Sequence, residues 1–165
     1  MSFERFYPIV EDADWVARVV AAGARLVQLR AKDKPADVAR AEVRAALAAC
    51  AGKATLVVND YWEIALDEGA PWVHLGQGDL DGADVKAIRA KGVKLGVSTH
   101  DHAELDRALS LDPDYVALGP VWPTLLKVMP WAPQGLERLG EWKKRIGPRP
   151  LVAIGGITVE RAPLC

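Results

Sequence analysis

Along the 165-residue chain, short runs of β-branched and aliphatic residues alternate with longer stretches whose apolar positions recur at helical spacing. The short runs predict strands at Arg5–Val10, Ala24–Arg30, Ala54–Asn59, Trp72–Leu75, Val93–Val97, Tyr115–Leu118 and Pro150–Ile154. The clearest helical stretch runs from Pro35 to Cys50, with proline in its first turn and Ala and Val at helical spacing. Another runs from about Asp14 to Ala22 and stops at Gly23, a usual C-terminal signal. A third starts near Asp101, where Asp101 and Glu104 have the spacing of a capping box. Strand follows helix about every 20–35 residues, which implies parallel strands joined by crossover helices. The segment Gly119–Gly135 carries four prolines and reads as the one long loop. Long ordered loops in compact domains are usually functional.

Two architectures share this alternation, the doubly wound sheet and the (β/α)8 barrel. Polar residues separate them. They gather at the C-terminal end of almost every predicted strand: Gln28 and Arg30, Asn59 and Asp60, Gln77 and Asp79, Ser98, Thr124 and Lys127, Gly155 and Gly156. A doubly wound sheet collects ligands at a switch point between a few strands. A barrel brings all of its strand ends to one mouth. The expected fold is therefore α/β of the (β/α)8 TIM-barrel type. Only about seven βα units are readable, since the chain stops at Cys165, one turn into the seventh helix. Residues 1–165 are expected to form one incomplete barrel domain lacking the eighth unit.

Composition narrows the partners. Half of the residues are apolar, enough to bury a sizeable core. With 21 basic and 22 acidic residues, a nucleic-acid partner held by bulk positive charge is not expected. No window approaches 18 uncharged apolar residues, so no membrane span is expected. The start, Met1-Ser2-Phe3-Glu4-Arg5, lacks an apolar signal core. Cys50 and Cys165 make neither a disulfide framework nor a zinc site, and read as free thiols in the cytoplasm.

The chemistry-bearing residues form six groups. In Gln28-Leu29-Arg30-Ala31-Lys32, strand alternation would point Gln28, Arg30 and Lys32 to one side. Two inward cations need an anion, and an Arg fork with a Lys point charge suits phosphate or pyrophosphate. The other reading is a solvated strand end. Asn59-Asp60 and His74-Leu75-Gly76-Gln77-Gly78-Asp79 put carboxylates at the ends of neighbouring strands. Asp60 and Asp79 are either ligands of one Mg²⁺, which takes one or two carboxylates plus phosphate oxygens, or N-caps of the helices that follow. Ser98 either donates to a phosphate at a helix start or, with Thr99 and Asp101, caps that helix. His74 reads as a core histidine, and His100 and His102 as a solvated helix start. Thr124 and Lys127 lie in the long loop. Gly155-Gly156 follows the seventh strand, where barrels frequently bind phosphate. No Ser-His-Asp arrangement or reactive Cys is present.

In this order the blocks QLRAK, VVNDYW, VHLGQGDL, LGVSTHD, YVALGPVWPT, MPWAPQGL and VAIGGI resemble those of the thiamine-phosphate synthase family, from about Phe6 to Pro163. The resemblance implies a (β/α)8-barrel transferase of thiamine biosynthesis. Such an enzyme joins hydroxymethylpyrimidine pyrophosphate to thiazole phosphate and releases pyrophosphate. It implies that the segment Gln28, Leu29, Arg30, Ala31 and Lys32, together with Asn59, Ser98 and Lys127, holds the pyrimidine pyrophosphate. Asp60 and Asp79 would bind Mg²⁺, and Thr124, Gly155 and Gly156 the thiazole phosphate. Arg30, Lys32 and Lys127 would neutralise the leaving group. In the family, the C–O bond to pyrophosphate breaks first and the thiazole nitrogen captures the methylene cation, which needs no protein nucleophile. The small phosphorylated substrates are the implied partners, and a homo-oligomer stays open. Two alternatives remain: an inactive remnant that binds a phosphorylated ligand, and a thiazole tautomerase-like isomerase. An isomerase has no pyrophosphate to hold, so the cations and the carboxylate pair speak against it.

Overall fold

Within each of its two units the described strands pair in parallel with their neighbours in chain order, and helices connect the strands. A computed structural model of the chain describes residues 3–124 and 131–165 and divides into two compact units, Met1–Leu95 and Gly96–Cys165. The first unit contains β1 (Ile9–Val10), α1 (Ala13–Ala21), β2 (Leu26–Leu29), α2 (Ala36–Cys50), β3 (Thr55–Asn59), α3 (Trp62–Asp67), β4 (Trp72–Leu75) and α4 (Val85–Ala90). A short 3-10 turn, Asp79–Asp81, lies between β4 and α4. The parallel register sets Val10 opposite Leu29, Gln28 opposite Val57, and Asn59 opposite His74.

β1 is shorter than its sequence expectation, which began at Arg5. Pro8 has no N–H to give a ladder. Its carbonyl still accepts from the Gln28 N–H at 2.9 Å, and the Val10 carbonyl from the Arg30 N–H at 2.7 Å. All four residues of β2 are buried, as expected of a parallel strand covered on both faces. Helix α1 begins where the Asp12 carboxylate accepts from the Trp15 N–H at 2.8 Å, which satisfies an orphan donor of the first turn. Helix α2 buries Ala39, Val43, Ala46 and Cys50, one stripe at helical period.

Strand β5 (Lys94–Thr99) starts at the division, and the second unit continues through α5 (His102–Ser110), β6 (Tyr115–Leu118), α6 (Gly135–Ile146) and β7 (Leu151–Ala153). Ser98 lies opposite Ala117, and Ala117 opposite Val152. The core of this unit is Leu105, Val116, Leu118, Val121, Leu139, Trp142 and Ile146. Trp142 is wholly buried, so its indole N–H needs a partner. It donates to the Thr99 hydroxyl oxygen at 2.8 Å, and that hydroxyl donates to the Ala117 carbonyl at 2.9 Å. Gly96 is required by the ring beside it, because a Cβ there would lie 2.0 Å from Cζ of the buried Tyr115.

The start of α5 differs from a reciprocal capping box. The Asp101 carboxylate accepts from the Glu104 N–H at 2.9 Å, as the spacing suggests. Glu104 reaches one residue further back, to the His100 N–H and the His100 Nδ1, both at 2.7 Å. Among the described residues no helix is long and apolar enough to cross a membrane.

Candidate active site

In the first unit the chemistry-bearing residues follow the C-terminal ends of β2, β3 and β4. β3 ends at Asn59, which is buried, and the chain turns at Asp60 with φ 63°, a left-handed conformation rare outside glycine. The Asp60 N–H donates to the His74 carbonyl at 3.0 Å, and the Trp62 N–H to the Asp60 carbonyl at 2.7 Å. Helix α3 has Tyr61 at its N-cap and no side-chain capping bond, so Asp60 does not cap it. Asp79 accepts from the Gly76 N–H upstream at 2.9 Å, and the cap of α4 is Asp84. The capping alternative therefore fails for both carboxylates.

Their side chains instead meet. The Asp60 carboxyl is hydrogen-bonded to that of Asp79, and its pKa is raised to about 6. Burial is the main cause, followed by the negative charge of Asp79 and the shared hydrogen bond. Arg30 and Lys32 pull it back down, so both cations lie within electrostatic reach of the pair. Two carboxyl groups this close form a site for a cation. Mg²⁺ takes one or two carboxylates and fills its octahedron with water and phosphate oxygens, so this pair fits it. Among the described residues, no group of three or more His, Cys, Asp or Glu is gathered to hold a metal by protein ligands alone.

The cations arrive by a route other than strand alternation. β2 ends at Leu29, and the Lys32 N–H closes a turn onto the Arg30 carbonyl at 2.9 Å. Arg30 is half-buried and Lys32 exposed, whereas the side chains of Leu29 and Ala31 are buried in the core. The geometry that would aim Gln28, Arg30 and Lys32 along one strand face thus holds only for Gln28. Gln28 is buried and its Nε2 donates to the Tyr7 hydroxyl at 2.9 Å. Tyr7 escaped the sequence reading because it lies 21 positions away with no motif to mark it. His74 is a core histidine, as expected. Burial lowers its pKa to about 4, opposed by the nearby charge of Asp79, so its ring is neutral at pH 7.

In the second unit, Ser98 is half-buried within β5, three residues before Asp101, the N-cap of α5. Asp101 is the cap, and Thr99 is committed to Trp142 and Ala117, so neither Ser98 nor Thr99 caps α5. His100 is not solvated: its side chain is 11% exposed, bonds Glu104, and stacks on Trp131 at 3.9 Å between ring centroids. Thr124 is half-buried; Lys127 lies outside the described residues.

After β7, Gly155 and Gly156 take φ 91° and 65° in succession, left-handed backbone that favours glycine. Glycine at both positions would let a phosphate approach the backbone closely. The structure adds a packing reason. A Cβ on Gly155 would lie 2.6 Å from Pro120 Cα, and one on Gly156 would lie 2.6 Å from the Pro123 carbonyl oxygen. The turn is pinned by the Trp122 N–H on the Gly155 carbonyl at 3.1 Å and by Arg161 Nη1 on the Gly156 carbonyl at 2.8 Å. Arg161 is a further residue that no sequence motif announced.

The parallel strand–helix repeat, with its polar residues at strand ends, places the chain in the α/β class of (β/α)-barrel type. Comparison with known proteins agrees and narrows the class. The sequence profile of the thiamine monophosphate synthase family matches residues 6–165. A thiamine-phosphate synthase of Rhizobium etli is 62% identical over 165 residues, covering 99% of this chain and 81% of its own. One of Neisseria meningitidis serogroup A is 52% identical over 159 residues, covering 96% of this chain and 78% of its own. Among solved structures, a thiamine phosphate pyrophosphorylase from Pyrococcus furiosus aligns with TM-score 0.77 at 26% identity, covering 96% of this chain and 78% of that one. The chain belongs to the thiamine monophosphate synthase family.

Proposed function

We propose that the protein is a transferase of thiamine biosynthesis, joining hydroxymethylpyrimidine pyrophosphate to thiazole phosphate with release of pyrophosphate. The observation that carries the reading is the hydrogen-bonded Asp60–Asp79 pair within electrostatic reach of Arg30 and Lys32. Two acids and two bases at adjoining strand ends are what a Mg²⁺–pyrophosphate group would require of its container. In this reading Asp60 and Asp79 hold Mg²⁺, which stabilises the charge that develops on the departing pyrophosphate. Arg30 and Lys32 bind the phosphate oxygens, with Ser98 and Lys127 as further donors. Gln28 and Asn59 orient the pyrimidine. Buried amides on rigid strands lose little entropy when they align a ring. Leu29 and Ala31 contribute by holding this segment to the core. Thr124 and the Gly155–Gly156 turn take the thiazole phosphate.

No nucleophile or general base is needed where the C–O bond breaks before the thiazole nitrogen attacks. The protein's work is then electrostatic and positional. The neutral ring of His74 suits this role, because it adds no charge beside the carboxylates. We also place the enzyme in the cytoplasm, where its two cysteines, both free, stay reduced.

The test is pyrophosphate release from the two substrates together. Release should require both substrates and Mg²⁺, stop with EDTA, and fall by orders of magnitude in Asp60→Asn and Asp79→Asn. Isomerisation of a thiazole without pyrophosphate release would favour the tautomerase alternative. Ligand binding without turnover would favour the inactive remnant.

A further inference from the structure

Gly76 follows the last residue of β4 and has no obvious backbone reason to be glycine. It is absent from the glycines with positive φ, so its conformation is open to any L-residue. A Cβ built on it would meet a single atom within 4 Å beyond its chain neighbours, Oδ2 of Asp79, at 2.9 Å. That is closer than side-chain carbons come to oxygens in folded proteins. The same oxygen accepts the Gly76 N–H at 2.9 Å. The residue that orients the carboxylate therefore also leaves it the room it occupies. Around them the turn closes on itself, with the Leu80 N–H on the Gly76 carbonyl and the Gly82 N–H on the Asp79 carbonyl, both at 3.2 Å.

We propose that Gly76 is a positioning residue of the metal site. Its N–H fixes one oxygen of Asp79, and its missing side chain leaves room for the orientation in which the Asp79 carboxylate meets Asp60. The inference rests on the reading of Asp60 and Asp79 as the Mg²⁺ ligands. Glycine is set here by a carboxylate rather than by a turn. Alanine would keep the N–H and both ligands and still push Oδ2 off its place. Residues that orient a metal ligand through a hydrogen bond typically govern affinity by about 10–100-fold.

The experiment measures metal binding directly, with Mn²⁺ as the Mg²⁺ surrogate in the presence of pyrophosphate, and with the enhancement of water-proton relaxation by protein-bound Mn²⁺ as readout, against a protein-free Mn²⁺–pyrophosphate control. Gly76→Ala should fold with the wild-type circular dichroism spectrum and bind Mn²⁺ about 10–100-fold more weakly. Asp60→Asn and Asp79→Asn run alongside. If they lose Mn²⁺ and Gly76→Ala binds it as wild type does, Gly76 has no positioning role and the metal reading stands. If both Asn variants keep wild-type affinity, the metal reading fails and takes this inference with it. Should Gly76→Ala not fold, the Gly76 amide proton of the wild-type protein is followed by NMR. Mg²⁺ with pyrophosphate should shift it, and Asp79→Asn should abolish that response. An amide indifferent to Mg²⁺ overturns the proposal.

Discussion

Asp60 and His74 titrate over the same pH range with opposite consequences for stability. The Asp60 pKa rises from 3.8 to about 6 on folding, so its contribution is fully present below pH 3.8 and lost as pH climbs through about 6. The His74 pKa falls from 6.5 to about 4, so its contribution is present above pH 6.5 and lost as pH drops through about 4. In EDTA, the melting temperature of Asp60→Asn relative to wild type should therefore climb between pH 4 and 7, since both proteins keep His74. Parallel curves across that range would show that the Asp60 carboxyl is not displaced. Arg30 gives a second prediction. Lysine at this position keeps the charge but lacks the planar fork, so Arg30→Lys should weaken pyrimidine-pyrophosphate binding by about 1–3 kcal/mol, the scale of one charge-assisted hydrogen bond. Wild-type affinity by calorimetry would place Arg30 outside the site.

At the scale of elements, β5 and β6 approach each other through Gly96 and Tyr115. Alanine at 96 would put a methyl 2.0 Å from the buried ring, which neither a rotamer change nor a small shift relieves. Gly96→Ala should cost at least about 1–3 kcal/mol, read by urea unfolding. Adding Tyr115→Leu should recover part of the loss, while strictly additive effects would mean that the ring is not the obstacle. β4 and β6 have the bounds that the sequence pattern implies, because each is a short apolar run between turn-forming residues. β1 is shorter because Pro8 interrupts its ladder. β2 stops before Arg30, since period-2 reasoning cannot tell where a strand gives way to a turn. The carboxylate pair was legible as two strand-end acids, and its contact was not, since nothing in either motif encodes the register that brings Asp60 to Asp79. The surroundings of His100 were equally hidden. Its stack on Trp131 joins residues 31 positions apart, and its bond to Glu104 looks in sequence like half of a capping box.

For the whole molecule, ligand linkage gives a test that needs no turnover. A ligand that binds only the folded state stabilises it by about 2.7 kcal/mol at one hundred times its dissociation constant. Mg²⁺ and pyrophosphate together should raise the melting temperature more than the sum of either alone, because the anion supplies ligands to the metal. Simple additivity in a thermal-shift titration would argue against a shared site.

The left-handed turn at Asp60 carries a consequence for anyone selecting variants by durability. A non-glycine residue at φ 63° costs of order 1 kcal/mol or more, and a buried carboxyl beside another adds to the burden. Asp60→Gly relieves both, so without metal at neutral pH it should melt no lower than wild type and yet release no pyrophosphate. A library screened only for heat resistance would discard the aspartate first, and enriched clones would be robust and inert. Strength and usefulness are in competition at this one backbone position.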